Sequence, residues 1–276
     1  MSSASRLTGR NVIDPELRVT GGSDYTLEIT ERGLRNLREL GHDAVEYSHA
    51  CHWTEQECLA VRSMTEAVGL EPWSLHAWCG GDVLMEQQAR ATVETLTIAV
   101  RNALALGVRV IVHHPSGVAP HREQVEREAE LIAEVWRPGV RLAFENGETL
   151  GSLEYALDLC DRLGPDRAGI CVDTGHAALG DLGPARALRM AGSRLITTHL
   201  QDNHGGSDEH LPPGDGTIDW DEVARALAEI RYPGCLMLEL TDQPSADRRP
   251  TIREELARGA EAARRLREKR DGALFP

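Results

Sequence analysis

The chain contains 276 residues, of which 41% are hydrophobic, and it carries a formal net charge of −14. This acidic balance argues against a protein whose main task is to bind the phosphate backbone of nucleic acid, because such proteins usually carry a basic surface. Lys269 is the only lysine and lies near the C-terminus, which argues against a buried Schiff-base lysine, a pyridoxal phosphate site or a P-loop.

Eight short apolar runs have the length and composition of β-strands. They are separated by longer segments, and several of the turns that lead into them contain glycine, as in "LGVRVI", which is a common end signal for a helix. In chain order, the predicted strands cover residues 16–21, 43–49, 71–78, 108–114, 141–146, 168–174, 195–202 and 235–240.

Segments with helical periodicity lie between these runs. The clearest is residues 122–136, in which Val125, Ala129, Ile132 and Trp136 fall on one face. The other predicted helices cover residues 55–68, 152–163, 221–230 and 245–269.

Eight strands that alternate with helices about every 30 residues predict an α/β fold, a single (β/α)₈ TIM barrel. An open doubly wound sheet is the alternative, but the dinucleotide-binding glycine turn typical of that fold is missing from the sequence. We therefore expect one domain over residues 1–276, with a core of about 16–268. We expect the first dozen residues to be disordered or to cover the barrel floor, and the last six to form a tail.

Several sequence features indicate a cytoplasmic protein without a membrane partner. No window approaches the roughly 18 consecutive apolar residues of a membrane span, and the N-terminus lacks the apolar stretch of a signal peptide. The six cysteines are scattered and form no CxxC pair, so we expect neither a disulfide framework nor a thiolate zinc site.

Polar side chains follow the predicted strands at their carboxyl ends, where TIM barrels hold their active sites. A single histidine there is more often a hydrogen-bonded cap than a ligand, so we expect structural roles for His49, His52, His113 and His204. Glutamate or aspartate at the end of an apolar run is costly to bury unless it is paired or binds a metal. This argument assigns functional roles to Glu145, Asp173 and Glu239, together with His199.

These four residues come from strands five, six, seven and eight in order. Neighbouring strands lie about 4.8 Å apart, so side chains at four adjacent strand ends can converge on one ion. Three carboxylates and one imidazole suit Mn²⁺, Mg²⁺ or Co²⁺, with Zn²⁺ as a further option. The sequence therefore predicts one divalent metal ion bound by Glu145, Asp173, His199 and Glu239.

The segments "LAFEN", "GICVDTGHAALG", "THLQDN", "HLPPGDGTIDW" and "LMLEL" together resemble the xylose isomerase-like TIM barrel superfamily. That group includes sugar isomerases and epimerases, inosose dehydratase-like enzymes and AP endonucleases of the endonuclease IV type. The resemblance extends over about residues 74–240 and is strongest after residue 140.

The epimerase branch implies that Glu145 and Glu239 are both metal ligands and the catalytic acid and base. In that branch a histidine at the position of His176 and a basic residue near His210 hold substrate hydroxyls, so we expect His176 and His210 to bind substrate. Trp78 lies beside the predicted barrel mouth, where it could stack on a sugar or pack under a loop. The resemblance also implies a small-molecule sugar substrate and makes a homo-oligomer an expectation.

The endonuclease branch implies a different site, with up to three zinc ions. Its ligand pattern is matched by His76, His114, Glu145, Asp173, His176, His199, Asp208, His210 and Glu239. The additional ligands in this alternative are therefore His76, His114, His176, Asp208 and His210.

The acidic charge and the "HLPPGDGTIDW" segment favour the sugar branch. We therefore expect a metal-dependent isomerase or epimerase that moves a proton next to a carbonyl group through an enediolate. Two alternatives remain open: a trinuclear zinc phosphodiesterase, and a metal-dependent sugar lyase or dehydratase that uses the same residues.

Overall fold

The computed structural model describes residues 8–11, 27–48, 50–77, 81–117, 122–240 and 252–274. These residues form one eight-stranded parallel sheet that curves into a nearly closed barrel. The strands are β1 (Thr8–Asn11), β2 (Ala44–Tyr47), β3 (Glu71–Ala77), β4 (Val110–His113), β5 (Arg141–Glu145), β6 (Ala168–Asp173), β7 (Leu195–His199) and β8 (Leu236–Leu238).

Helices alternate with the strands and cover the outside of the barrel. They are α1 (Leu27–Glu39), α2 (Glu55–Val68), α3 (Glu86–Leu106), α4 (Arg122–Val135), α5 (Leu150–Leu163), α6 (Thr174–Leu179), α7 (Pro184–Ala191), α8 (Trp220–Glu229) and α9 (Ile252–Leu274). Thr54 and Glu57 form a capping box at the start of α2, and Gly69 ends that helix with a φ of 77°. None of the helices described is both long and apolar enough to cross a bilayer.

The strand order is β7-β6-β5-β4-β3-β2-β1-β8, so each strand from β1 to β6 pairs with the next strand in the chain, and β8 pairs with β1. A single parallel bridge between Leu200 and Leu238 joins the two ends of the sheet. The architecture confirms the predicted (β/α)₈ TIM barrel.

Strand alternation separates the barrel interior from the layer between strands and helices. On β5 and β6, Ala143 and Cys171 pack inside the barrel, whereas Phe144 and Ile170 belong to the large core under the helices. Glu145 lies two positions after Ala143, and Asp173 lies two positions after Cys171, so both carboxylates also point inward, into the mouth of the barrel. His113 and His114 are adjacent in sequence but consequently point in opposite directions.

The outward-pointing His113 belongs to a buried polar group that we call the outer network, formed by His113, Ser116, Glu128 and Tyr155. Glu128 is fully buried on α4. Its carboxylate lies 2.9 Å from Nε2 of His113 and accepts hydrogen bonds from the Tyr155 hydroxyl at 2.7 Å and the Ser116 amide at 3.1 Å. The network ties the start of the loop after β4 to α4 and α5.

The structure differs from the predicted boundaries at both ends of the barrel. The first strand that it describes is Thr8–Asn11, and the predicted strand at residues 16–21 lies outside the described residues. The barrel therefore begins before residue 16, within a segment that we expected to be disordered or a floor cover. At the other end, α9 continues to Leu274, into the expected tail.

Candidate functional site

Six buried side chains meet at the carboxyl end of the barrel, in what we call the mouth cluster. Four are carboxylates and two are imidazoles, and each is at most 7% exposed. The mouth cluster consists of Glu46 on β2, His76 on β3, Glu145 on β5, Asp173 on β6, His199 on β7 and Glu239 directly after β8.

His199 lies at the centre of the mouth cluster. Its Nδ1 atom is 3.1 Å from Oε1 of Glu145 and 3.1 Å from Oε2 of Glu239. Its Nε2 atom, on the other edge of the ring, is 3.0 Å from Oε1 and 3.1 Å from Oε2 of Glu46. Two carboxylates therefore face one ring nitrogen and a third faces the other.

The four residues predicted as metal ligands are brought together. One ligand atom each from Glu145, Asp173, His199 and Glu239 lies within 4.8 Å of the others. Oε2 of Glu145 is buried without a hydrogen-bond partner of good geometry, although His114 Nε2 is 3.2 Å away. Three carboxylates, one imidazole and an unsatisfied buried oxygen fit a divalent cation.

Asp173 is oriented by backbone and amide contacts. Its Oδ1 accepts a hydrogen bond from the His176 amide at 2.7 Å and so caps α6. Its Oδ2 accepts one from the Gln201 side chain at 3.3 Å. The side chain of Asn146 bonds both the N–H and the C=O of Asp173, at 2.9 and 3.1 Å. The strand ends of β5 and β6 are thereby locked in register.

His76 and His114 form a stacked pair beside the four predicted ligands. Their ring centroids are 5.0 Å apart, and their Nε2 atoms are separated by 2.8 Å. Ligand atoms of His76, His114 and Glu145 also lie within 4.8 Å of one another. The structure therefore places two of the additional ligands of the alternative next to Glu145.

A second polar group, which we call the loop cluster, consists of His176, Gln201, Asp208 and His210. Asp208 lies 3.3 Å from Nε2 of His176 and 2.8 Å from Nε2 of His210, and it accepts a hydrogen bond from Gln201 at 2.7 Å. His210 Nδ1 is 3.3 Å from the Glu239 carbonyl oxygen. His210 also has a φ of 51°, an uncommon conformation for a non-glycine residue.

Asp202, in contrast, organises the loop after β7 and takes no part in either cluster. One oxygen accepts hydrogen bonds from the amides of Asn203 and Ile218, and the other from Gly214 and the Trp220 indole. The acidic and histidine residues of this loop therefore have two different roles. Asp202 folds the loop, and Asp208 and His210 extend from it toward the mouth.

The electrostatics of the mouth cluster follow from burial opposed by ion pairing. Burial acts to lower the pKa of His199, but surrounding groups, Glu239, Glu46 and Glu145 among them, raise it well above 6.5. Burial acts to raise the pKa of Glu145, but His199 and His114 bring it down to about 2. For Asp173, burial dominates and raises the pKa to about 7.

Histidines of the loop cluster are also held in their charged form. Burial acts to lower the pKa of His176, but Asp173 and Asp208 raise it to about 11. The pKa of His210 is raised to about 9, because Asp208 and Glu239 outweigh burial. Charged donors of this kind suit the hydroxyl oxygens of a polar ligand.

Sequence reasoning missed Glu46, Asn146 and Gln201 as parts of the site. The signal for Glu46 was present, because it is an acidic residue between apolar neighbours in "DAVEYSH". It was overlooked because it lies within the strand and not at its end. Trp78, predicted to bind substrate, and His49, expected to have a structural role, lie outside the described residues.

Comparison with known proteins agrees with this architecture. Residues 34–267 match the family described as xylose isomerase-like TIM barrel. The chain belongs to this family. It is 33% identical over 248 residues to the uncharacterized protein y4fM of Sinorhizobium fredii. The aligned region covers 73% of this chain and 79% of that protein.

Two further similarities concern sugar epimerases. A D-psicose 3-epimerase of Enterocloster bolteae is 36% identical over 93 residues, which are 34% of this chain and 29% of that protein. The structure of an L-ribulose 3-epimerase superposes with a TM-score of 0.72 at 20% identity and covers 98% of both chains. At that level of identity the structural similarity shows the fold alone.

Proposed function

We propose that this family member is a divalent-metal-dependent sugar isomerase or epimerase that acts on a ketose or a related polyol. The observation that carries the proposal is the convergence of Glu145, Asp173, His199 and Glu239 within 4.8 Å at the barrel mouth. The short sequence match to a psicose 3-epimerase supports the sugar class, and 3-epimerisation of a ketose is the first reaction to test.

Glu145, Asp173, His199 and Glu239 would hold the ion, and the ion would polarise a carbonyl oxygen and an adjacent hydroxyl oxygen of the substrate. Glu145 and Glu239 approach His199 Nδ1 from β5 and from the end of β8. In the proposed reaction one of them removes the proton next to the carbonyl, and the other delivers a proton to the opposite face. Transfer of the proton from one face of a carbon to the other gives epimerisation, and transfer of the proton from one carbon to its neighbour gives aldose–ketose isomerisation.

The loop cluster would bind and orient the sugar. His176 and His210 carry raised pKa values, so both ring nitrogens of each carry a hydrogen. A substrate hydroxyl would share or replace one of the acceptors that these N–H groups face, which are Asp208 and backbone carbonyl oxygens. Asp208 holds both rings. Trp78 stays a proposed stacking residue for the sugar, and it lies outside the described residues.

Two measurements test the proposal. Elemental mass spectrometry on tag-free protein purified without chelator should find about one Mn, Co, Mg or Zn per chain. NMR in D₂O with a ketose panel of psicose, tagatose, ribulose and fructose should then show deuterium entering at the carbon that epimerises. No exchange with any ketose, in protein that carries the metal, would refute the epimerase assignment.

Glu145→Gln and Glu239→Gln separate the two proton-transfer roles. Each variant retains a base on one face only. We therefore expect each to exchange the proton of one epimer with solvent while forming little of the other. Equal loss of exchange for both epimers in both variants would contradict the two-base assignment.

A trinuclear zinc phosphodiesterase is the second candidate. It is favoured by two observations: His76, His114 and Glu145 form another ligand group beside the first, and Asp208 bridges His176 and His210. This candidate predicts close to three Zn per chain and nicking of DNA that contains abasic sites. A lyase or dehydratase would share the single-metal site and differ in the leaving group, so a panel of oxidised glycosides and inositols distinguishes it.

A further inference from the structure

Glu46 is a buried carboxylate in the mouth cluster to which the proposed reaction gives no role. It lies on β2, fully inaccessible to solvent. Oε2 accepts a hydrogen bond from the Ser74 hydroxyl at 2.6 Å, and both oxygens lie within 3.1 Å of Nε2 of His199. A carboxylate buried this deeply requires a compensating partner.

The two ring nitrogens of His199 face different groups. Nδ1 faces Glu145 and Glu239, whereas Nε2 faces Glu46. A neutral imidazole carries one N–H, and the nitrogen that binds a metal must present its lone pair. If Nδ1 binds the ion, the proton must be on Nε2, and Glu46 is then the group that accepts it.

We propose that Glu46 is a positioning residue that holds His199 in the Nε2–H tautomer and fixes its ring with Nδ1 toward Glu145, Asp173 and Glu239. The inference rests on the proposed function, since it concerns the same metal centre. Metal-binding histidines commonly donate their second ring N–H to a carboxylate, which orients the ring and increases its basicity as a ligand.

Ser74 provides the second half of this arrangement. The pairing of β2 with β3 shifts register between Val45 and Glu46, so that Glu46 lies opposite Ser74 and not opposite Trp73. The shift gives Glu46 a hydroxyl donor on the neighbouring strand. The Ser74 hydrogen bond fixes the carboxylate, and the carboxylate in turn fixes the imidazole.

A different role for Glu46 is direct metal binding. Ligand atoms of Glu46, His76, His199 and Glu239 also lie within 4.8 Å of one another. Asp173 is not part of that group. A cation held there would be a second ion beside the first, so the number of bound ions distinguishes a direct ligand from a positioning residue.

The test is titration of metal-free protein with Mn²⁺, for wild type, Glu46→Ala and Glu46→Gln. We expect one ion per chain in all three. The Kd should rise about 10–100-fold in Glu46→Ala, the usual range for loss of such a partner. It should rise less in Glu46→Gln, whose amide oxygen still accepts the Nε2–H. Glu46→Gln is close to isosteric and carries the test if the alanine variant does not fold.

Glu128→Ala is the matched control. It also removes a fully buried carboxylate that contacts a histidine and a hydroxyl, but it lies in the outer network. We expect it to lower the free energy of unfolding while leaving the Kd for Mn²⁺ unchanged. A Kd increase equal to that of Glu46→Ala would show a general effect of destabilisation and would overturn the inference.

A spectroscopic readout isolates the tautomer. In Zn²⁺-loaded protein labelled with ¹⁵N-histidine, we expect a hydrogen-bonded Nε2–H signal that is assigned to His199 by its loss in His199→Gln. The signal should disappear in Glu46→Ala. A His199 protonated on Nδ1 in the zinc form would overturn the inference.

The outcomes separate this inference from the proposed function. If wild type binds neither Mn²⁺ nor Zn²⁺, both fail. If Asp173→Ala abolishes binding while both Glu46 variants bind as tightly as wild type, only the role of Glu46 fails. Two ions in wild type and one in Glu46→Ala would make Glu46 a direct ligand and would also overturn it.

Discussion

The outer network and the mouth cluster both bury carboxylates against histidines, but they differ in how those carboxylates are satisfied. Glu128 has three donors, and no second carboxylate contacts it among the bonds that the described residues make. The mouth cluster crowds four carboxylates around two imidazoles and leaves Oε2 of Glu145 unsatisfied. A buried network with matched donors stabilises a fold, whereas one with excess carboxylate oxygen is suited to a cation.

Among the variants considered, Glu239→Gln in the mouth cluster should have the largest effect on function. The variant keeps an oxygen for the metal but cannot exchange a proton, so kcat should fall by about 10²–10⁴-fold, the usual contribution of a general acid or base. Steady-state kinetics together with metal content measure this. Near-normal turnover would refute the catalytic role.

The control for that prediction is Glu128→Gln in the outer network. It makes the same chemical change at an equally buried carboxylate. We expect its kcat to match that of wild type, because the hydrogen bonds described for Glu128 lead to His113, Ser116 and Tyr155 and to no member of the mouth cluster. A comparable loss of kcat in both variants would mean that the two clusters are not functionally distinct.

Tyr155→Phe, in the outer network, should lower the free energy of unfolding and leave turnover unchanged. Removing the hydroxyl deprives the buried Glu128 carboxylate of one donor, and hydrogen bonds to charged groups contribute about 1.5–3 kcal/mol. The free energy of unfolding from urea titration should fall by that amount. Tyr232→Phe is the control, since its hydroxyl bonds the neutral Cys235 carbonyl and its loss should cost about 0.5–1.5 kcal/mol. Equal losses in the two variants would contradict the charge argument.

The sequence predicted strands β2 to β8 of the barrel but did not predict β1. Strands two to eight were found because each is an apolar run with charged or turn residues around it. β1 has the sequence TGRN, with no apolar run, and it is a strand because its backbone pairs with β2 and β8. Gly9 allows that close approach: a Cβ there would lie 2.7 Å from the Ala44 carbonyl oxygen. Such pairing is a tertiary effect that local sequence patterns do not contain.

The candidate site was predicted in a similarly uneven way. Glu145, Asp173 and Glu239 were found because a carboxylate that ends an apolar run is conspicuous. Glu46 is also an acidic residue beside apolar residues, but it lies inside β2 and does not end the strand. Its contact with His199 joins residues that are 153 positions apart in the chain. That contact depends on barrel closure and on the register shift opposite Ser74. Neither can be read from a single sequence.

Metal binding should be coupled to proton release in the mouth cluster. Burial acts to lower the pKa of His199, but the surrounding groups raise it overall, so below the raised value the metal-free ring carries an additional proton. A metal must displace that proton, and its apparent affinity should therefore increase with pH up to the raised pKa. Calorimetric titration with Mn²⁺ in two buffers of different ionisation enthalpy should show at least one proton released. Heats that do not depend on the buffer would contradict this.

His210→Ala should have the smallest effect on function, and it can be compared with a second histidine of the same loop. In the proposed site the His210 side chain donates to a substrate hydroxyl, and loss of one hydrogen bond from a charged donor should raise KM about tenfold, equivalent to about 1.4 kcal/mol. His204, in the same loop, bonds only Glu209 among the contacts that the structure describes, and its side chain is 56% exposed. His204→Ala should therefore leave KM and kcat unchanged. If both variants raised KM equally, the effect would reflect the folding of the loop and not contact of His210 with the sugar.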